Sequence, residues 1–342
     1  MRKAYTFGLV LLSLLLLAGC TGKEEQKAQQ SSALLMDTVV NVKTYDNSQP
    51  QAPEQALKLV KSLDSRFSRY GKDSDISRVN AMAGEKPVQV DESTINLIRE
   101  AVYYGDITRG ALDITIGPLV DLWNIPDTDN TGIPRAEEIG NKLKLVNYRQ
   151  IVLDTEKSVV YLPYKGSSLD LGSLAKGFAN RRVAEMLREK GVRSALISLG
   201  GNIYAIGSKP DGEPWQIAIQ DPFDQNQFIA VFNIIDRAVD TAGGYYRFKE
   251  IGGEKFSHII NPSTGIPAGE IASVTVITDD PLKADALSTA SYVLGEEKGM
   301  ALLESVQGVS GFIVTKSGKV VTTSNFMDEV PGFKLRGERK ND

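Results

Sequence analysis

The chain is nearly devoid of two residue types that carry much of protein chemistry, with one cysteine and one histidine among 342 residues. A single cysteine cannot close an internal disulfide. No block of like charge is present either. Lysine and arginine total 39 against 43 acidic residues, and the signs are mixed along the chain, which argues against a nucleic-acid partner. No internal repeat or low-complexity stretch appears in the body, and no Pro/Ser-rich linker divides it. The one long apolar run, residues 7–17, is too short for a comfortable membrane span.

That run has a meaning of its own. Arg2 and Lys3 precede it, and Leu17-Ala18-Gly19-Cys20 ends it. The pattern resembles a bacterial lipoprotein signal, in which Cys20 is lipidated and becomes the first mature residue. Acyl chains would then hold the protein to the outside of a bacterial cell membrane. Residues 21–32 are polar and lack aromatics, as a flexible tether does. The expected division is a signal at 1–19, a lipidated start and tether at 20–32, one domain at 33–332 and a polar tail at 333–342.

Hydrophobic periodicity sorts the body into elements. Ala56, Leu59, Val60, Leu63 and Phe67 follow the three-four spacing of a helix over 53–67, with Pro53 suited to its first turn. A second amphipathic helix is expected over 91–108, a third over 172–190 stopping at Gly191, and two more over 281–294 and 296–306. Strands are expected at 34–45, 151–153, 159–162, 195–199, 203–206, 215–219, 228–235, 273–277, 311–315 and 319–323. Helices with strand blocks that do not alternate regularly give an α+β class. One compact domain is expected, with a mixed, largely antiparallel sheet and packed helices, divisible at most into two lobes.

Five segments could carry chemistry. His258 is followed by a rigid Asn261-Pro262 turn and Thr264-Gly265, and an imidazole moves protons near neutral pH. The plain alternative is a histidine with a satisfied hydrogen bond. Asp285 and Thr289, four apart on one helix face, offer hard oxygens suited to Mg²⁺. Small and apolar neighbours imply burial, so Asp285 is either a site or one half of an ion pair. Asp170-Leu-Gly172-Ser173-Leu-Ala-Lys176-Gly177 opens a helix with small residues, where free N–H groups and Lys176 favour anions. It is not a Walker loop, and an ordinary helix start remains open. Tyr70 could stack on a planar ring, and Asp113, in Gly110-Ala111-Leu112-Asp113, could accept from one. Asp127 to Gly132 with Glu138 fits much of an EF-hand spacing, but Pro134 sits where an apolar residue is expected. A solvated loop is the better account.

Taken in order, these segments resemble the ApbE family, the FAD:protein FMN transferases. The shared pattern runs from about Met36 to Val321. It comprises Met36-Asp-Thr38, Phe67-Ser-Arg-Tyr70 with Ser74-Asp-Ile-Ser77, and Ala111-Leu-Asp113-Ile-Thr-Ile-Gly-Pro-Leu-Val-Asp-Leu-Trp123. Asp170-Leu-Gly-Ser-Leu-Ala-Lys-Gly177, Gly200-Gly-Asn202, the Tyr245-to-Arg247 run, His258-Ile-Ile-Asn-Pro-Ser-Thr-Gly265 and Ala284-Asp-Ala-Leu-Ser-Thr289 follow. No single motif decides the matter, but the ordered set is specific.

The resemblance implies an enzyme that moves FMN from FAD to a threonine hydroxyl of an acceptor protein with Mg²⁺, releasing AMP. It implies an FAD site at Met36, Tyr70, Ala111, Leu112, Asp113, Asp170, Lys176, Ile260 and Asn261. The implied metal ligands are the Ser173 carbonyl, Asp285 and Thr289, with His258, Asp285 and Lys176 as catalytic residues. The acceptor it implies is a membrane or extracytoplasmic electron-transfer subunit. Asn261 stands where the family often has Asp, Ala242 where it often has Ser, and Ser173 where Ala is common. An FAD pyrophosphatase using water, or a lipid-anchored flavin-binding protein without catalysis, fits the same residues. The Asp285/Thr289 pair speaks against the second.

Overall fold

The computed structural model describes residues 27–125 and 132–336. Cys20, the signal and the 127–131 part of the calcium-like loop lie outside that range. β1 (Gln29–Leu35) and β2 (Thr38–Thr44) form an antiparallel hairpin in continuous register. Met36 and Asp37 turn it with φ of 51° and 56°. The single strand expected over 34–45 is therefore two, because a two-residue turn can be built from residues that are not the usual Asn-Gly. β1 also starts four residues inside the expected tether. Gln29, Gln30, Ser31 and Ser32 are polar because they lie on a sheet edge, and composition alone does not tell that from a tether.

Helix α1 (Ala52–Phe67) buries Ala56, Val60, Leu63 and Phe67, the stripe its periodicity predicts. α2 (Asp75–Ala81) starts at Ser74, whose Oγ accepts the Ser77 N–H at 3.0 Å. β3 (Val88–Gln89) precedes α3 (Glu92–Ile107), which Asp91 caps. α4 (Gly117–Trp123) and α5 (Ala136–Leu143) follow, and Glu138 caps α5 by accepting the Arg135 N–H at 2.9 Å. The expected hairpin is present as β4 (Val152–Asp154) and β5 (Val159–Tyr161), joined by β3 into a small sheet. The helix expected from 172 begins three residues later as α6 (Ala175–Glu189), because Asp170 Oδ1 takes the Gly172 N–H at 2.8 Å into a turn.

The later chain is strand-rich: β6 (Ala195–Leu199), β7 (Asn202–Ile206), β8 (Trp215–Gln220), β9 (Phe228–Ile234) and β10 (Ala238–Gly243). A hairpin of β11 (Phe248–Ile251) and β12 (Glu254–Ser257) ends beside His258. β13 (Ile271–Thr278) leads into α7 (Pro281–Ser305), which kinks at Gly295 with φ of 80°, so the two expected helices are two arms of one element. β14 (Ser310–Thr315), β15 (Val320–Thr322), α8 (Phe326–Glu329) and β16 (Lys334–Leu335) close the fold. β16 pairs with β9, so the expected polar tail begins as a strand.

Eight strands form the central sheet in the order β1-β2-β6-β7-β10-β13-β14-β15, and every pairing is antiparallel. This is the α+β, largely antiparallel architecture expected from the sequence. One face packs against α1, α6 and α7 through Val40, Val42, Ile197, Val274 and Val276. The other face, over β7, β10, β13 and β14, is covered by the small sheet β16-β9-β8, where Trp215, Phe232 and Phe312 are buried. A third, smaller cluster gathers Leu119, Trp123, Ile139 and Ile260.

Candidate active site

Two helices meet at the centre of the site. Gly177, in the first turn of α6, lies against the first turn of α7. A β-carbon on it would come within 2.5 Å of the Pro281 carbonyl and 2.8 Å of the Asp285 side chain. Glycine allows that approach. Asp285 is 1% exposed. Its Oδ2 accepts the Gly177 N–H at 2.7 Å, and its Oδ1 faces Lys176 Nζ at 3.3 Å. The ion-pair alternative raised by the sequence is therefore realised, with Lys176 as partner.

The pair does not share its burden equally. Burial pushes the Asp285 carboxyl up to about 7; Lys176 and the Gly177 N–H pull against this, while nearby Asp240 adds to it. Burial also works against the Lys176 charge, but Asp285 and Asp240 more than offset it and hold the ammonium above the ordinary lysine range. Lys176 keeps some solvent contact and has two carboxylates near it, so it stays charged. Asp285 bears the cost of desolvation.

Gly177 lies in the first turn of α6, where the opening N–H groups of a helix have no intrahelical partner, and Asp285 satisfies this one. Ser173 precedes the helix, so its carbonyl is not part of the helical ladder. The Ser173 carbonyl, the buried Asp285 carboxylate and the half-buried Thr289 one turn along α7 are hard oxygens of the kind that suit Mg²⁺ completed by phosphate oxygens. Among the described residues no cluster of three or more His, Cys, Asp or Glu side chains could hold a metal alone. The fit therefore rests on one carboxylate plus neutral oxygens.

Behind this seam runs a polar chain that the sequence did not announce. Asn180 Nδ2 donates to Asn202 Oδ1 at 2.8 Å, Asn202 Nδ2 to Asp240 Oδ1 at 3.1 Å, and Ser288 Oγ to Asp240 Oδ2. All four residues are buried. Gly200-Gly201-Asn202 reads in sequence as a turn signal, yet its asparagine joins α6 to β10.

His258 follows β12. Its backbone N–H and its Nδ1 both meet the Arg247 carbonyl, at 3.0 and 3.1 Å. A carbonyl only accepts, so Nδ1 carries the proton and Nε2 keeps its lone pair. Protein packed around the ring lowers its pKa, the Arg247 carbonyl resists, and the Arg247 and Lys176 cations lower it further, to about 4. The side chain keeps solvent contact, so water tempers this penalty, but the direction is downward. The Lys176 charge lowers the pKa of this ring and the Asp170 charge raises it.

The remaining expected residues sort into two groups. Asp170 Oδ2 meets Arg69 Nη1 at 3.2 Å, and Arg69 also holds Asp121 at 2.8 Å. Tyr70 is 72% exposed, with the Arg69 guanidinium over its ring at 5.3 Å from the centroid. Met36 sits in the β1–β2 turn, where its N–H meets Asp64 Oδ2 at 3.0 Å, and Arg247 Nη2 clasps the Asp37 carbonyl at 2.6 Å. The second group lies beneath the surface. Asp113 Oδ1 accepts from Thr115 N and Oγ1 at 2.8 and 2.6 Å, and Oδ2 from Tyr148 N at 2.9 Å. Its carboxylate braces its own loop, and burial pushes its pKa up. Ala111 and Leu112 are buried beside it, and the Ile114 carbonyl that follows accepts the Asp170 N–H at 2.8 Å. Asn261 Oδ1 is taken by Ser263, and Ile260 packs with Trp123.

Sequence reasoning missed Asp240, Asn180 and Arg69. Their partners lie far away in the chain, and only pairing across elements reveals them.

Comparison with known proteins identifies the family. Residues 36–313 match the ApbE family model. A Vibrio cholerae FAD:protein FMN transferase is 34% identical over 305 residues, covering 87% of this chain and 90% of its own. A Treponema pallidum FAD:protein FMN transferase is 32% identical, covering 95% of each. Among solved structures, the ApbE protein of Thermotoga maritima superposes with a TM-score of 0.81 at 30% identity, over 88% of this chain and 98% of that one. The flavin transferase ApbE from Vibrio cholerae gives a TM-score of 0.78 at 30% identity, over 88% and 99%.

Proposed function

The chain belongs to the ApbE family, and we propose that it transfers FMN from FAD to a threonine hydroxyl of an acceptor protein. It is a transferase that uses FAD as flavin donor. The observation that carries the residue assignment is the seam between α6 and α7, where Lys176 and the Gly177 N–H both meet the buried Asp285 carboxylate.

The reaction balances simply. The threonine oxygen attacks the phosphorus on the riboflavin side of the FAD pyrophosphate. The bond from that phosphorus to the bridging oxygen breaks, and AMP leaves with that oxygen. The hydroxyl proton passes to His258 Nε2, and FMN remains as a phosphoester on the threonine. Lys176 places a positive charge beside the phosphates. Arg247, through its carbonyl, fixes the tautomer that leaves Nε2 free. Tyr70 offers a face for a ring, and Asp113 and Asn261 stiffen the loops that would hold it. Ser173, Asp285 and Thr289 would hold Mg²⁺, which would offset charge on the pyrophosphate when bound.

We also propose that Cys20 is lipidated and tethers the enzyme outside a bacterial cell membrane, on the strength of Leu-Ala-Gly-Cys after an apolar run. Among the described residues, no helix is long and apolar enough to cross a membrane. A membrane or extracytoplasmic electron-transfer subunit is then the fitting acceptor.

The test is to incubate the enzyme with FAD, Mg²⁺ and the extracytoplasmic proteins of its own cell. Covalent flavin fluorescence on a protein band, mapped by mass spectrometry to a threonine, supports transfer. AMP and free FMN with no labelled protein would assign the site to a hydrolase instead.

A further inference from the structure

The central sheet has two ends of different character. β15 spans three residues and is flanked by Lys319, a short and charged edge of the kind that resists pairing. β1 spans seven residues, Gln-Gln-Ser-Ser-Ala-Leu-Leu, without a charge, a proline or a bulge. Among the described residues it pairs only with β2. In a two-residue hairpin the residues flanking the turn exchange hydrogen bonds, and alternate residues point their N–H and C=O away. Leu35, Ala33, Ser31 and Gln29 therefore face β2, and Gln30, Ser32 and Leu34 present unpaired main-chain groups outward.

The sheet surface beside this edge is also prepared. Leu34 and Val39 are direct cross-strand partners, 81% and 57% exposed. Val39 lines a cleft of about 400 Å³ together with Gln30, Asn41, Lys43, Leu196 and Ser198. Among the described residues no helix covers this face, since Val40 and Val42 turn the other way into the core. The edge leads to the site. Its last residue, Leu35, enters the Met36-Asp37 turn, the Asp37 carbonyl is held by Arg247, and the Arg247 carbonyl holds His258.

We propose that the free edge of β1 is the docking surface for the acceptor polypeptide. An extended segment adds as a further strand along Gln30, Ser32 and Leu34, rests apolar side chains against Leu34 and Val39, and so delivers its threonine beside His258. Main-chain pairing supplies the affinity, and the cleft selects alternate side chains. This rests on the transfer reading, because only a protein acceptor needs such a surface.

The probe is a blocked peptide, acetyl-Lys-Val-Thr-Val-Thr-Val-Thr-Lys-amide. At millimolar peptide, hydrogen exchange at the Ser32 and Leu34 amides should slow. With FAD and Mg²⁺, the wild type should form FMN-peptide, detected by mass. Ser32→Pro removes an outward N–H and no bond to β2, and Leu34→Glu places a charge on the apolar strip. Each should label the peptide about tenfold more slowly, with FAD affinity and thermal midpoint unchanged. Protection at the edge without transfer would keep the docking surface and sink the transfer reading. No protection, or equal labelling by both variants, would overturn the docking surface. So would a dimer in sedimentation that Ser32→Pro dissolves, since the edge would then belong to a second copy of the chain.

Discussion

The Gly177 N–H donates to Asp285 Oδ2 at 2.7 Å, across the seam between α6 and α7. This bond satisfies one of the N–H donors that the first turn of α6 leaves without a helical partner, and gives a buried carboxylate its orientation. It also makes the site sensitive to one methyl group.

Gly177→Ala should therefore cost more than a surface helix substitution. The new β-carbon would meet the Pro281 carbonyl at 2.5 Å and Leu282 Cα at 2.8 Å, and backbone does not yield cheaply. A loss of stability of about 1–3 kcal/mol is expected from overpacking, read as a lower denaturation midpoint. Because the helices must separate, Mg²⁺-dependent activity should fall further than stability does. A variant with wild-type activity would show that the seam has room.

Asp285 should trade stability for function. Its folded-state pKa is raised to about 7 from the ordinary 3.8, so the folded protein favours the protonated form. Its contribution is therefore most favourable below pH about 4 and is lost as pH rises toward 7. Asp285→Asn should gain in thermal midpoint relative to the metal-free wild type across that window, and lose transfer. Added Mg²⁺ should restore the wild type at pH 8 and leave the variant unmoved. A variant that melts lower than metal-free wild type at pH 8 would contradict this account.

His258→Ala should bind FAD nearly as well as the wild type and lose transfer by about a hundredfold to ten-thousandfold. The imidazole is pushed down to about 4, so it is neutral throughout the physiological range. The acidic limb of the free-enzyme rate profile should therefore lie well below the ordinary histidine value, and the variant should lack it. Stability linkage runs the same way. A histidine kept neutral by the fold costs stability as pH falls from 6.5 toward 4, and His258→Gln should not show that loss. A large loss of FAD affinity with normal single-turnover rate would reduce His258 to a structural residue.

Cys20→Ser should move the mature body from the membrane fraction to the soluble one, with transfer to a soluble acceptor intact. Lipidation holds through acyl chains, and a stable anchor needs more than one chain. Equal membrane retention of the variant in a detergent-partition assay would count against lipidation.

Much of the local structure was legible in the amino-acid pattern. The stripe of Ala56, Val60, Leu63 and Phe67 encodes a helix against the sheet, and the break at Gly295 encodes the bend in α7. His258, Lys176, Asp170 and Asp285 were legible because titratable side chains within short ordered motifs need no partner to be noticed. Tertiary structure alone decided what they do to one another. The Lys176–Asp285 pair spans more than a hundred positions, and Asp240 reaches the site only because β10 lies in the centre of the sheet. The same is true of the polar β1 segment. Its composition matches a tether, and only pairing with β2 makes it a strand with a free edge. Charge, burial and hydrogen-bond partnership are properties of neighbours in space, and a linear pattern carries them only where those neighbours are also close in the chain.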